Sequence, residues 1–143
     1  MDIKKHITAL GFVPKNGTNG IYHKIYVDYA IEIDFETQSI NYGSAITAES
    51  KTTQNFSQPE NFVVLECVDR LLTKGYKPQN IVLEKTWPSG HGTSGRLDIC
   101  VNREDGTPYM LIECKTFGKE YNKELARIRK DGGQLFTYFQ LSG

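Results

Sequence analysis

The chain has 143 residues, a length typical of one domain that buries roughly two-thirds of its unfolded surface. Seventeen basic and seventeen acidic side chains give a formal net charge of zero, which argues against a uniformly basic nucleic-acid-binding protein. The three cysteines lie inside apolar segments, and no segment has the features of a signal peptide or a membrane-spanning helix. These features predict a cytoplasmic protein with buried reduced thiols and no membrane contact.

Residues 1–55 are predicted to form a β-rich N-terminal extension. Apolar residues at helical spacing in residues 1–20 indicate a short amphipathic element. Alternating apolar residues in 21–40 predict two or three strands. Residues 43–58 are rich in Ser, Thr, Asn and Gln, and we interpret them as a connecting loop.

A helix is predicted to follow this loop. Ser57 and Glu60 match a capping box, and Pro59 favours the first turn of a helix. Gly75 is expected to end the helix, because glycine readily adopts the left-handed conformation found there. The helix has an apolar stripe, which consists of Phe62, Leu65, Val68, Leu71 and Leu72.

The next forty residues predict three strands. The strands are expected at residues 81–86, 96–101 and 109–115, with a glycine-rich loop at 87–95 and a turn at 103–108. The last two strands therefore form a hairpin.

After the hairpin, residues 119–141 are predicted to be helical, with an interruption at two consecutive glycines. Gln134 and Tyr138 stand four residues apart, so a helix would place them on the same face.

Three charged residues in the hairpin indicate a candidate site. Glu113 and Lys115 are two residues apart on a strand, so they project from the same face. In a hairpin that turns near Asp105-Gly106, Asp98 falls close to the level of Glu113, and two carboxylates could then reach one cation. Carboxylate oxygens favour Mg2+ or Mn2+ over Zn2+.

Such an ion polarises a phosphate and lowers the pKa of a bound water, and Lys115 could position that water or stabilise the charge that develops on the phosphate. The alternative interpretation is an ordinary wet sheet surface with a cross-strand salt bridge.

Taken together, these segments resemble the PD-(D/E)xK nuclease superfamily, and more narrowly the N-terminal nuclease domain of the R subunit of type I restriction enzymes. Two positions depart from the pattern, because Leu97 replaces a proline before Asp98 and Val64 stands where relatives often have an arginine. The resemblance runs from Pro59 to Tyr138, and its pieces are, in order, Pro59-Glu60, Gly75-Tyr76, residues 81–84, 96–101 and 111–115, and Gln134 with Tyr138.

The resemblance implies an α/β fold with a restriction-endonuclease-like core over residues 56–143. In such a core a mixed central sheet is flanked by helices, and residues 1–55 would pack on it as the β-rich extension.

The resemblance also implies roles for individual residues. Asp98, Glu113 and Lys115 would be catalytic, with Asp98 and Glu113 as metal ligands. Glu60 would correspond to an acid on the helix that helps to hold the metal, and Glu66 is a rival for that position.

Gln134 and Tyr138 resemble a Gln-x-x-x-Tyr motif that lies beside the active site in several branches of the superfamily. The resemblance implies that these two residues support either the placement of substrate DNA or the catalytic centre.

The implied function is Mg2+-dependent or Mn2+-dependent cleavage of double-stranded DNA with low intrinsic sequence specificity. The implied parent protein couples cleavage to an ATP-driven motor and works with methyltransferase and specificity subunits. The chain has no phosphate-binding P-loop and is expected to be a fragment of that parent, so ATP would bind only outside it. The alternatives are a nuclease domain of another restriction system, either stand-alone or fused to a methyltransferase, a catalytically silent DNA-binding module, and a metal-free sheet protein.

Overall fold

The computed structural model of the chain describes residues 2–88, 94–114 and 137–139. These residues form a mixed α/β structure with two helices and two sheets. The elements in chain order are α1 (Ile3–Ala9), β1 (Val13–Pro14), β2 (Ile21–Ile25), β3 (Ala30–Asp34), β4 (Ser39–Asn41), β5 (Thr47–Ala48), α2 (Glu60–Thr73), β6 (Ile81–Pro88), β7 (Ser94–Asn102), β8 (Pro108–Cys114) and β9 (Thr137–Phe139).

The first sheet has the strand order β1-β2-β3-β4, and every neighbouring pair is antiparallel. The amphipathic element predicted near the N-terminus is observed as α1, and the strands predicted in residues 21–40 are observed as β2, β3 and the start of β4. Ile31 and Ile33 of β3 are fully buried, whereas the residues between and beside them are partly exposed. This alternation is the pattern of a sheet with one face in the core.

The prediction of a continuous loop over residues 43–58 was wrong at Thr47–Ala48. These two residues form β5, which pairs in parallel with Val82 and Leu83 of β6. Two residues are too short to show strand periodicity, and their conformation is set by pairing with a strand more than thirty residues away in sequence.

Helix α2 begins and ends close to the predicted residues, but the capping box prediction was wrong. Pro59 occupies the N-cap position, and no side chain donates or accepts a capping hydrogen bond there. The Ser57 hydroxyl instead donates to the Asn55 side chain. Gly75 follows the helix with a φ of 102°, so the predicted stop is confirmed.

Helix α2 is buried on nearly all sides. Its apolar residues belong to one core cluster that also includes Ile31 of the first sheet and Ile112 of the second. The buried residues of the helix are Asn61, Phe62, Val64, Leu65, Glu66, Cys67, Val68, Asp69, Leu71 and Leu72. A helix buried in this way needs partners for its polar side chains as well as for its apolar ones.

Asp69 receives such partners from the first sheet. The Lys24 ammonium donates to Asp69 Oδ1 at 2.6 Å, and the Tyr26 hydroxyl donates to the same oxygen at 2.6 Å. Burial, and then the hydrogen bond to Asp69, raise the pKa of Tyr26. Lys24 also donates to the Leu10 carbonyl at 2.7 Å, so this cation joins α2, the first sheet and the residue that ends α1.

The second sheet has the strand order β5-β6-β7-β8-β9. Strands β6, β7 and β8 are antiparallel neighbours, whereas the edge strands β5 and β9 are parallel to theirs, so the sheet is mixed as predicted. Ile99, Val101, Ile112 and Cys114 are buried in the same core cluster as α2. The cysteines are buried free thiols, as predicted, and they are Cys67, Cys100 and Cys114.

The helix predicted over residues 119–141 was wrong at its C-terminal end. Thr137–Phe139 form strand β9, which pairs in parallel with residues 112–114 of β8. Residues 115–136, which include most of the predicted helix, lie outside the described residues. Tyr138 is therefore placed on a strand, and the pairing with the interior strand β8 overrides the local helical pattern.

We predict that Asp69→Ala lowers the free energy of unfolding by about 2–3 kcal/mol, because it leaves the part-buried Lys24 and Tyr26 without their shared acceptor. Urea denaturation measures this loss. The control is Glu104→Gln, which removes the exposed ion pair between Lys77 and Glu104 and should cause no measurable change. Equal stability of Asp69→Ala and the control would contradict the structural role of Asp69.

Candidate functional site

Asp98 and Glu113 lie on neighbouring strands at the same level. Ile99 pairs with Ile112 and Cys100 pairs with Leu111, so one further step in that register places Asp98 opposite Glu113. The buried side chains of Ile99 and Ile112 lie on the core face, and alternation therefore places Asp98 and Glu113 together on the other face. Both acids are partly buried.

The carboxylate of Asp98 also contacts the backbone of β8. The Cys114 N–H donates to Asp98 Oδ2 at 2.7 Å. This hydrogen bond directs the Asp98 carboxylate towards the strand that carries Glu113.

The pKa of Asp98 is raised from 3.8 to about 6, and burial is the main cause. The Cys114 N–H opposes this shift because it stabilises the ionised carboxylate, whereas the negative charges of Glu84, Glu113 and Glu60 increase it. Asp98 thus lies in a region where several acids repel one another.

The structure separates the two helix acids. Glu60 begins α2 and is one of the charges that raise the pKa of Asp98. Glu66 is buried elsewhere, with His6 Nε2 at 3.9 Å and an Arg70 nitrogen at 3.6 Å from its carboxylate oxygens. The charge of Glu60 thus acts on Asp98, whereas the carboxylate of Glu66 lies against His6 of α1 and Arg70 of α2.

Of the three remaining predicted site residues, the structure describes only the backbone of Tyr138. Lys115 and Gln134 lie outside the described residues. The backbone of Tyr138 pairs with Glu113 across β8 and β9, so its position in the sheet adjoins the candidate site.

Glu84 is a neighbour of Asp98 that the sequence analysis missed as a site residue. It lies on β6, is 1% exposed, and makes the largest acidic contribution to the raised pKa of Asp98. One signal was present in the sequence, because Glu84 interrupts an apolar strand in the same way as Asp98 and Glu113 do.

The donors fit a hard divalent cation. Facing carboxylates repel each other, and a cation between them removes that repulsion. Within residues 2–88, 94–114 and 137–139, no group of three or more His, Cys, Asp or Glu side chains is arranged to hold a metal ion. Two facing acids remain sufficient for Mg2+, which commonly keeps several waters and binds through one or two carboxylates together with substrate phosphate.

The family profile described as type I restriction enzyme R protein N terminus matches residues 59–138, which is more than half of the chain. The matched range includes Glu60, Glu84, Asp98 and Glu113. No curated protein matches the chain. In the described part of the chain, neither helix is long and apolar enough to cross a membrane.

We predict that Asp98→Asn is more stable than the wild type at pH 7. The pKa of Asp98 is about 6 in the folded chain and near 3.8 in the unfolded chain, so the folded state holds the proton more tightly. The free energy of unfolding of the wild type therefore falls as the pH rises from about 4 to 6, by about 2–3 kcal/mol. Asparagine does not ionise, so the variant does not lose this stability as the pH rises.

Urea denaturation without divalent ions, at pH 7 and at about pH 3.5, measures the free energies of unfolding of the wild type and Asp98→Asn. The difference between the two proteins should vanish at the lower pH. The control is Asp105→Asn, since the pKa of that exposed carboxyl is lowered by hydrogen bonds from Thr107. The control should gain no stability at pH 7. An Asp98→Asn variant that is equally stable or less stable at pH 7 would contradict the raised pKa.

Proposed function

Because the chain belongs to the family of type I restriction enzyme R protein N-terminal regions, we propose that it is the nuclease domain of an R subunit. The proposed reaction is hydrolysis of phosphodiester bonds in double-stranded DNA with Mg2+ or Mn2+. The observation that carries the proposal is the alignment of Asp98 with Glu113 across β7 and β8.

The architecture supports a restriction-endonuclease-like core. Helix α2 is followed by the antiparallel strands β6, β7 and β8, and the short strand β9 returns parallel to β8. Two neighbouring interior strands of this mixed sheet, β7 and β8, carry the two acids. We therefore place the proposed core over residues 56–143 and the extension over residues 1–55.

Asp98 and Glu113 would hold the cation through their carboxylate oxygens, and Glu60 would add negative charge from the start of α2. The Cys114 N–H holds the Asp98 carboxylate in place before any cation arrives. When bound, Mg2+ or Mn2+ would polarise the phosphate and lower the pKa of a bound water.

Lys115 is proposed as the catalytic lysine. It follows Glu113 by two positions, so strand alternation would place its ammonium on the same face as the two acids. A cation at that position would stabilise the negative charge that develops on the phosphate during attack. Gln134 and Tyr138 are proposed to support the placement of the DNA.

The proposed setting is a larger cytoplasmic enzyme. A motor elsewhere in the parent protein would consume ATP, and methyltransferase and specificity subunits would supply site recognition. Low sequence specificity of the nuclease domain follows from that division of labour, since the acids and the lysine contact phosphate rather than base edges.

We predict that the protein nicks supercoiled plasmid in Mg2+ or Mn2+, and that Asp98→Ala, Glu113→Ala and Lys115→Ala each lower the rate by at least about 100-fold. Each change removes a cation ligand or the charge that stabilises the phosphate. Gel electrophoresis at high protein concentration measures the nicking, because a domain separated from its motor lacks the benefit of tethering to DNA.

Glu104→Gln is the control, because Glu104 lies exposed at the opposite end of the hairpin and should leave the rate unchanged. Equal nicking by the wild type and the three site variants would overturn the assignment of these residues. Binding of plasmid without nicking, in both metals, would instead support a catalytically silent DNA-binding module.

A further inference from the structure

Glu84 is a third acid at the level of Asp98. It lies on β6, whereas Glu113 lies on β8, on the other side of β7. Leu83 pairs with Ile99 and Lys85 pairs with Leu97, so the register places Glu84 opposite Asp98. Asp98 in turn lies opposite Glu113. The sheet thus carries acids at one level on the three consecutive strands β6, β7 and β8.

The position of Glu84 is unusual in its burial. Glutamate is rarely fully buried, because taking its charge out of water is costly, yet Glu84 is only 1% exposed. The buried carboxylate of Glu84 lies level with Asp98 on the neighbouring strand.

The backbone at Glu84 is also distinctive. Its φ is 56°, in the left-handed region that non-glycine residues seldom adopt, although the pairs on both sides of it keep the ordinary antiparallel register. Such a conformation in the middle of a strand costs free energy and changes the direction in which the side chain leaves the backbone.

The buried carboxylate of Glu84 adds negative charge one strand away from Asp98. Negative charge at that position attracts a cation placed against Asp98, and the attraction is stronger where burial lowers the local dielectric constant.

We propose that Glu84 is a positioning residue of the cation site, whose buried carboxylate raises the affinity of Asp98 and Glu113 for a divalent cation. This inference rests on the proposed function, because it assumes that Asp98 and Glu113 hold the ion. Glu84 itself does not contact the ion and takes no direct part in the reaction.

Calorimetric titration with Mn2+ tests the inference without any need for nuclease activity. Glu84→Gln keeps the shape of the side chain and removes its charge, and it should raise the dissociation constant about tenfold or more, as losses of residues around metal ligands generally do. Glu84→Asp keeps the charge and should restore most of the affinity. Glu66→Gln is the matched control, since it neutralises another buried acid that lies against His6 and should leave Mn2+ binding unchanged.

A second neutral variant guards against a fold defect. Glu84→Gly removes the carboxylate and readily accepts a φ of 56°, so it should weaken Mn2+ binding as Glu84→Gln does while remaining folded in urea denaturation without metal. If the activity assay is used as well, the Mn2+ concentration for half-maximal nicking should rise, and the rate at saturating Mn2+ should change far less.

The outcomes separate this inference from the proposed function. If Asp98→Ala abolishes Mn2+ binding and Glu84→Gln and Glu84→Gly bind as tightly as the wild type, the role of Glu84 is overturned and the cation site stands. If the wild type and Asp98→Ala behave alike, the cation site itself is overturned, and the inference falls with it. If Glu66→Gln weakens Mn2+ binding as much as Glu84→Gln does, the specific role of Glu84 is overturned, because any buried acid would then have the same effect.

Discussion

The burial of α2 in a core shared with both sheets is the constraint on which the rest of the structure depends. The apolar residues of this helix belong to one cluster with Ile31 and Ile33 of the first sheet and with Ile99 and Ile112 of the second. An edge-to-face series of aromatic rings connects the first sheet to α2, with centroid separations of 5.4, 5.5 and 5.2 Å along Tyr22, Phe35, Phe56 and Phe62. Without the N-terminal part, the buried Asp69 would lose Lys24 and Tyr26, so this part of the chain completes the core.

The same packing sets the register of the strands that carry the acids. Ile99 and Ile112 are paired and fully buried in the core cluster that includes α2. A slip of one residue between β7 and β8 would move this apolar pair out of the core and move Asp98 or Glu113 into it. The cost of that exchange keeps the two acids opposite each other, so a structural demand of the core produces the alignment on which the proposed chemistry relies.

Local features of the chain were predictable, and non-local ones were not. The hairpin of β7 and β8 was predictable because its strands and turn are contiguous and its alternation is clear. Strands β5 and β9 were missed because each consists of two or three residues that become strands only by pairing with a distant partner. The capping box predicted at Ser57 was wrong for a related reason, because the Ser57 hydroxyl donates to the side chain of Asn55 instead.

The sequence by itself determined that Asp98 and Glu113 would meet, because strand alternation and a short turn act over a few residues. It also determined the length and end of α2, through its apolar stripe and Gly75. Only the tertiary structure decided that Glu84 would lie beside Asp98, that burial would raise the pKa of Asp98, and that the charge of Glu60 would act on Asp98 while Glu66 lies against His6. Burial and charge at a point in space depend on elements far apart in the chain, and no local pattern records them.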